Sequence, residues 1–366
     1  MSESKNLHAV IMAGGRGERF WPVSRFSRPK QFVTLFGGKP LLAIAVERLQ
    51  GLVPPENVLI VTSADLVALS REALPEVPPE NVLGEPFGRD TAAACALGTA
   101  WAAWKGGDSA TVAVLTADHL IARPDVFRQT LRDTAALVAR EGKIGVMGIV
   151  PQYPATGYGY LEAGAPVEGA GGATSFMDVK RFVEKPDEAT AKQYVASGRH
   201  FWNSGMFLWS VGTFMDALKS FRPPLFEMAE RMRGKFGEPD FDAALLAEYE
   251  KLDRISVDYA IMEKARNLVA ARGDFGWDDV GTWVSAADHF EKVDHDNAFH
   301  GACEFLKASG NTVVNTEPDH LVAAMGVEDL VVVHTKDATL VCTRQNAQNL
   351  KELVRQVADK RGKQFV

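Results

Sequence analysis

Within residues 1–150 the chain alternates short apolar runs with stretches of helical periodicity, and no other feature narrows the fold as far. Residues 8–12, 58–62, 111–116 and 144–149 are apolar and short enough for buried strands. Residues 40–52, 91–104 and 125–140 carry apolar positions at helical spacing. Strand, helix, strand in repeated order predicts a mostly parallel sheet covered by helices, an α/β fold of Rossmann-like type. Such sheets bind ligands beyond the carboxyl ends of their strands. Residues 13–15 and 117–119 each follow a strand, so the two turns should lie side by side.

The later chain has a different texture. Residues 157–161 and 179–184 read as strands, with an exposed Gly-rich loop at 164–172 between them. Helices are expected at 187–197, 211–220, 224–236 and 256–265. From about Gly301, strand-like segments recur at roughly ten-residue spacing: 312–315, 320–324, 330–334 and 339–342. That spacing suggests stacked (β-helix-like) or meandering strands in a small C-terminal domain, closed by a helix at 345–360. The expected division is residues 1–290 and 291–366. The 366 residues hold 46% hydrophobic and 24% charged side chains, so a sizeable core is available without staples. A net charge of −7 argues against a nucleic-acid surface, and no apolar stretch approaches a membrane span. The N-terminus lacks a signal peptide's pattern, and Cys95, Cys303 and Cys342 read as buried free thiols of a cytoplasmic protein.

The densest chemistry lies in AGGRGERFWPVSRFSRPKQF, from Ala13 to Phe32. Gly14, Gly15 and Gly17 after a strand let backbone N–H groups approach a phosphate closely. The dinucleotide pattern would need glycine at Phe20, and no P-loop occurs. Arg16, Arg19, Arg25, Arg28 and Lys30 crowd this loop of an acidic protein, which suits a polyphosphate. A turn with a solvated basic face would use the same residues. Asp118 and Asp279 offer hard oxygens for magnesium, or strand-end caps. Glu184-Lys185 is either an acid–base pair for hydroxyls and phosphate or a charged turn before Pro186. Asp90 and Thr91 suit a helix N-cap. Trp101, Trp104, Trp209 and Trp283 read as core, and His119 as structural or as a support behind the site.

The order of these residues, GGxGxRxWPxSRxxxPKQF, resembles the signature of the mannose-1-phosphate guanylyltransferases among the sugar-phosphate nucleotidyltransferases. The resemblance runs along the chain through EPFGRDTAAA from Glu85, LTADH from Leu115, TGYGYL from Thr156 and RFVEKP from Arg181. It continues through WNSGMF from Trp202, SVDYAIMEKA from Ser256 and GWDDVGTW from Gly276. Ala93 stands where the family commonly has proline, and Asp278 where it often has serine.

The resemblance implies GMP transfer from GTP to mannose 1-phosphate, giving GDP-mannose and pyrophosphate. It implies nucleotide binding by Ala13, Gly14, Gly15, Arg16, Gly17, Glu85, Gly88, Arg89, Asp90 and Thr91. Gly157, Tyr158, Glu184, Lys185, Asn203 and Asp258 would meet the sugar phosphate, and Asp118 and Asp279 would hold Mg2+. Arg19, Lys30, Lys185, Asp118 and Asp279 would be catalytic. A homodimer without nucleic-acid or membrane partners is expected. No fused isomerase domain, and so no isomerase activity, is expected within these residues. Another nucleotide or hexose 1-phosphate, or a non-catalytic nucleotide-sugar sensor on the same fold, remains open on the residues alone.

Overall fold

A computed structural model describes residues 6–15 and 17–366 of the chain. In chain order the first elements are β1 (Leu7–Met12), α1 (Leu41–Glu47), β2 (Val58–Ser63), α2 (Val67–Ala73), β3 (Val82–Glu85) and α3 (Thr91–Gly106). Then come β4 (Thr111–Thr116), β5 (Leu120–Ile121), α4 (Pro124–Glu141), β6 (Ile144–Ile149), β7 (Tyr160–Pro166), β8 (Phe176–Val183) and α5 (Glu188–Ser197). They are followed by β9 (His200–Ser210), α6 (Val211–Phe221), α7 (Pro223–Arg233), α8 (Phe241–Tyr249), β10 (Leu268–Gly273) and β11 (Trp277–Asp278). The remainder holds α9 (Trp283–Ala286), β12 (Glu291–Val293), β13 (Asn297–His300), β14 (Cys303–Leu306) and β15 (Thr312–Asn315). Last come β16 (Val322–Met325), β17 (Leu330–His334), β18 (Thr339–Thr343) and α10 (Leu350–Arg361).

These elements form two compact units. One runs to Gly14 and resumes from Ala45 to Asp278; the other joins Gly15–Ile44 to Asp279–Val366. The first unit is built on a nine-stranded sheet in the order β3-β2-β1-β4-β9-β6-β10-β8-β7. Its β3-β2-β1-β4 half is parallel, as the alternation predicts. β9 then runs antiparallel to both β4 and β6, so the whole sheet is mixed. The β1–β4 register pairs Met12 with Thr116, and the Ala117 N–H donates to the Met12 carbonyl at 3.2 Å. The turns after β1 and β4 therefore lie side by side, as expected.

Burial follows the sequence pattern. β1, β2 and β4 are buried on both faces, because helices cover them. Residues 92–103 of α3 are buried throughout, since alanines let the helix sit close in the core with Trp101, Trp209, Phe207 and Phe214. Trp101, Trp209 and Trp283 are core residues, but Trp104 is 45% exposed on the last turn of α3, against expectation. Of the three free thiols only Cys95 is buried; Cys303 and Cys342 lie on short coils and are half-buried. The expected helix at 256–265 is a single π-helical stretch, Asp258–Met262. No helix among the described residues is long and apolar enough to cross a membrane.

In the second unit, β13, β15 and β17 stack in parallel, with β12 and β18 added antiparallel at the edges, and β14 pairs in parallel with β16. Register partners on successive coils are Ala298, Thr312 and Val331 in one sheet and Cys303 and Val322 in the other. The recurring spacing of roughly ten residues is therefore about half a coil, the step from one sheet to the other. The corners of the coils are closed by buried amides: Asn311 Nδ2 donates to Asn297 Oδ1 at 2.9 Å, and Asn311 Oδ1 accepts from the Leu330 N–H at 2.9 Å. Such pairing satisfies backbone groups that the tight corners would otherwise leave bare. Residues 15–44 belong to this unit through specific contacts. Trp21 Nε1 donates to the Phe365 carbonyl at 2.6 Å, and Trp283 Nε1 donates to the Trp21 carbonyl at 3.1 Å. Arg25 pairs with Asp337 at 2.6 Å.

Candidate active site

At the carboxyl end of β1, Ala13 donates its N–H to the Val61 carbonyl at 2.8 Å, and the exposed Gly14 and Gly15 follow. A β-carbon on Gly14 would stand 3.6 Å from Glu85 Oε2, whereas one on Gly15 would meet nothing within 4 Å. Glu85 ends β3, is 8% exposed, and accepts a hydrogen bond from the Tyr249 hydroxyl at 3.0 Å. Burial pushes its carboxyl up to about 7; the Tyr249 hydrogen bond opposes that rise and the Asp90 charge adds to it.

The rest of the glycine loop lies in the second unit. Gly17 is left-handed (φ 58°), and a β-carbon there would fall 2.2 Å from Lys30 Cβ and 2.7 Å from Lys30 N. Only glycine fits. Arg19 is exposed at the end of the 3-10 turn Glu18–Phe20. Lys30 is 5% exposed, and its Nζ donates to the Asp279 carbonyl at 2.6 Å. The basic cluster is thus split: Arg19 points outward, while Lys30 fastens the loop to the segment carrying Asp279. Arg16 lies outside the described residues.

The stretch after Glu85 is fixed by its neighbours rather than left open. Arg89 donates from Nε to the Tyr249 carbonyl at 2.8 Å and from Nη2 to the Glu250 carbonyl at 3.3 Å. Its guanidinium, which the resemblance assigns to the nucleotide, here clasps the end of α8. Asp90 adopts φ 66° and caps α3 by accepting from the Thr91 N–H at 2.9 Å. Thr91 Oγ1 accepts from the Val257 N–H at 2.9 Å. Gly88 is open, with nothing within 4 Å of an added β-carbon.

A second cluster forms where β8, β9 and the π-helical stretch meet. The β6–β9 register shifts between Val146 and Gly148, opposite Asn203 and Phe207, so WNSGMF is an irregular stretch within a central strand. Asn203 Nδ2 donates to Asp258 Oδ1 at 2.9 Å, and its Oδ1 accepts from the Gly205 N–H at 3.0 Å. Glu184 Oε1 pairs with Lys185 Nζ, while Glu184 Oε2 is buried with no hydrogen-bond partner. Lys185 itself sits at φ 47° with its side chain 59% exposed. Burial lowers the affinity of its ammonium for the proton, but the hydrogen bond and charge of Glu184, with Asp258 behind, hold the pKa above its ordinary value. Asp258 is pushed up to about 6 by burial and then by Glu184, with Asn203 and Lys185 opposing.

The sequence reading missed Gly159 in this cluster. A β-carbon there would lie 2.4 Å from Glu184 Oε2, and its carbonyl accepts from the Asn203 N–H at 2.8 Å. TGYGYL carried the signal, since a second glycine immediately before a strand marks a close approach. Gly157, named instead, is open. Tyr158 packs edge-on against Trp202 and Trp277, with ring centroids 5.2 and 5.4 Å away.

Asp118 follows β4 and lies 3.8 Å from His119 Nε2. Trp277 Nε1 donates to His119 Nδ1 at 3.0 Å, and Arg48 Nη2 donates to the His119 carbonyl at 2.7 Å. Trp277 and Arg48 thus hold His119 in place beside Asp118. Asp278 lies in β11 and pairs in register with Leu120 of β5. Asp279, in the second unit, accepts from the Gly281 N–H at 3.1 Å through Oδ1. No cluster of three or more His, Cys, Asp or Glu among the described residues could hold a metal. A closed cage of the structural-zinc type is thus absent among them, whereas one or two carboxylates suit a metal that completes its shell with water and phosphate.

Residues 8–296 match the family model described as nucleotidyl transferase, and residues 308–357 match that of the MannoseP isomerase/GMP-like beta-helix domain. The chain belongs to the nucleotidyltransferases, enzymes by class, with a β-helix-like domain appended as the strand spacing suggested. The mannose-1-phosphate guanylyltransferase ManC of Salmonella typhimurium is 41% identical over 96% of this chain and 73% of its own length. The mannose-1-phosphate guanylyltransferase of Escherichia coli K12 is 40% identical over 98% of this chain and 74% of its own. A crystal structure from Thermus thermophilus, described as mannose-1-phosphate geranyltransferase, is 37% identical with a TM-score of 0.85, covering 96% of this chain and 99% of that one. Within its class the chain belongs to the mannose-1-phosphate guanylyltransferase family.

Proposed function

We propose that this enzyme transfers GMP from GTP to α-D-mannose 1-phosphate, releasing GDP-mannose and pyrophosphate. The observation that carries the reading is the acid, amide and lysine cluster of Glu184, Asn203, Asp258 and Lys185 in a nucleotidyltransferase whose glycine turn faces a buried carboxylate. A carboxylate such as Glu85 accepts hydrogen bonds from two adjacent guanine donors, N1–H and the 2-amino group. Adenine and the pyrimidines do not present that pair. Gly14, Gly15 and Gly17 offer backbone N–H groups to the triphosphate, and Arg16, Arg19 and Lys30 supply positive charge to it. Gly88, Arg89, Asp90 and Thr91 hold the base-facing stretch in shape.

On the other substrate, Lys185 grips the phosphate, while Glu184, Asn203 and Asp258 face sugar hydroxyls near Gly157 and Tyr158. A sugar-phosphate oxygen attacks the α-phosphorus as the bond to the β-phosphate oxygen breaks, so pyrophosphate carries the charge away. The attacking monoester is already ionised near neutral pH, and no general base is needed. Positioning and charge neutralisation then supply the rate. Nucleotidyltransferases of this family generally use a divalent metal, and we assign Mg2+, with Asp118 and Asp279 as its carboxylate ligands. When bound, it would neutralise developing charge on the phosphates.

Pyrophosphate release over a panel of nucleotides and sugar phosphates tests the reading. GTP with mannose 1-phosphate should give the highest kcat/KM. Equal or higher values with dTTP or UTP and glucose 1-phosphate would overturn it.

A homodimer and a cytoplasmic location complete the proposal. On the β14–β16 pair the register partners Leu306 and Met325 are 57% and 69% exposed, and Leu321, just before β16, is 58% exposed. Exposed apolar side chains on one short strand pair favour burial against a second copy. Sedimentation should report a dimer that Met325→Lys weakens, and a monomer at every concentration would count against it.

A further inference from the structure

We infer that Tyr249 is a positioning residue for nucleotide selection, holding the Glu85 carboxylate so that its second oxygen stays turned toward the glycine turn. This inference rests on the proposed base-reading role of Glu85. Tyr249 closes α8, outside every motif named in the sequence, and its ring and hydroxyl are fully buried. The hydroxyl donates to Glu85 Oε1 at 3.0 Å, while Oε2 faces the Cα of Gly14.

The tyrosine is itself held. Its carbonyl accepts from Arg89 Nε at 2.8 Å, and its ring meets Phe87 edge-on at 6.2 Å. The Arg89 guanidinium lies over the Phe87 ring at 4.6 Å. Alternate residues Glu85, Phe87 and Arg89 thus all engage the end of α8. A carboxylate buried this deeply tends to take up a proton, and a protonated one offers guanine a donor where an acceptor is needed. The groups that bear on Glu85 are the Tyr249 hydroxyl, Asp90 on the following loop and the Cys95 thiol of α3. Of these, Tyr249 alone favours the ionised form.

Tyr249→Phe keeps the ring and removes the hydroxyl. At pH 7, kcat/KM for GTP should fall about tenfold, and the acid limb of its pH profile should move about one unit alkaline. Both kcat/KM for ATP and KM for mannose 1-phosphate should hold. An unmoved limb, or equal losses for GTP and ATP, would overturn the inference and leave Tyr249 a packing residue. Should the phenylalanine variant not fold, 3-fluorotyrosine placed at position 249 gives a stronger donor, and the limb should then move acidward; no movement overturns the inference. Glu85→Gln separates the two levels. Retained GTP preference in Glu85→Gln sinks the base-reading role itself. Lost preference there with an unaffected Tyr249→Phe sinks the positioning role alone.

Discussion

Lys185→Ala is expected to lower kcat/KM for mannose 1-phosphate by about 30- to 1,000-fold, a loss of roughly 2–4 kcal/mol of transition-state stabilisation. The KM for GTP should stay within about twofold. The side chain is more than half exposed, so little folding stability rests on it. Its backbone is left-handed and its ammonium is drawn to Glu184, which places a charge at one spot rather than leaving it to wander. Removing that charge also removes the cation opposing the rise in Asp258. The group at about 6 should therefore move upward, and activity in the variant should fall away at a higher pH on the acid side than in the parent. Steady-state kinetics between pH 5 and 8 reads both effects. A variant with near-normal kcat/KM would return Glu184-Lys185 to the status of a charged turn.

The parts of this site that were legible in the sequence are those where one local pattern has one physical meaning. An apolar run ending in Gly14-Gly15 must place backbone at a strand end, and the β1–β4 register brings the turn after β4 beside it. The recurring apolar segments likewise announced stacked or meandering strands; parallel pairing stacks them, and the buried Asn297 and Asn311 close the corners. What stayed hidden depends on long-range pairing. β9 contains polar and glycine positions that read as a motif rather than a strand, and its antiparallel insertion between β4 and β6 is fixed by neighbours far away in the chain. Tyr249 lies 164 positions from its partner Glu85, within a helix whose apolar residues signal only packing. The grouping of residues 15–44 with the C-terminal coils was equally unreadable. It depends on the Trp21–Phe365 and Trp21–Trp283 hydrogen bonds, which no local periodicity announces. Arg89 has a further role that its motif does not announce: two of its five N–H groups hold the backbone carbonyls of Tyr249 and Glu250.

Asp118→Asn and Asp279→Asn should each lower kcat by about 100-fold or more while shifting Tm by only a few degrees. The asymmetry follows from what each carboxylate does in its own unit. Asp118 stands partly exposed beyond β4, beside a histidine already oriented by Trp277. Asp279 spends one oxygen on the Gly281 N–H, and its carbonyl receives Lys30, so the backbone around it is held without the full charge of the carboxylate. Asparagine retains an acceptor oxygen for that N–H, so the fold should persist while a hard anionic ligand is lost. Asp278 belongs instead to the short β5–β11 ladder, and Asp278→Asn should cost less. Activity measured against Mg2+ concentration distinguishes these roles. For the two ligand variants the half-saturating concentration should rise steeply and kcat should not recover at saturation, whereas Asp278→Asn should follow the parent curve. Full activity in EDTA would remove the metal from the mechanism. Greater sensitivity at Asp278 than at Asp279 would move the ligand one residue back, onto the strand paired with Leu120.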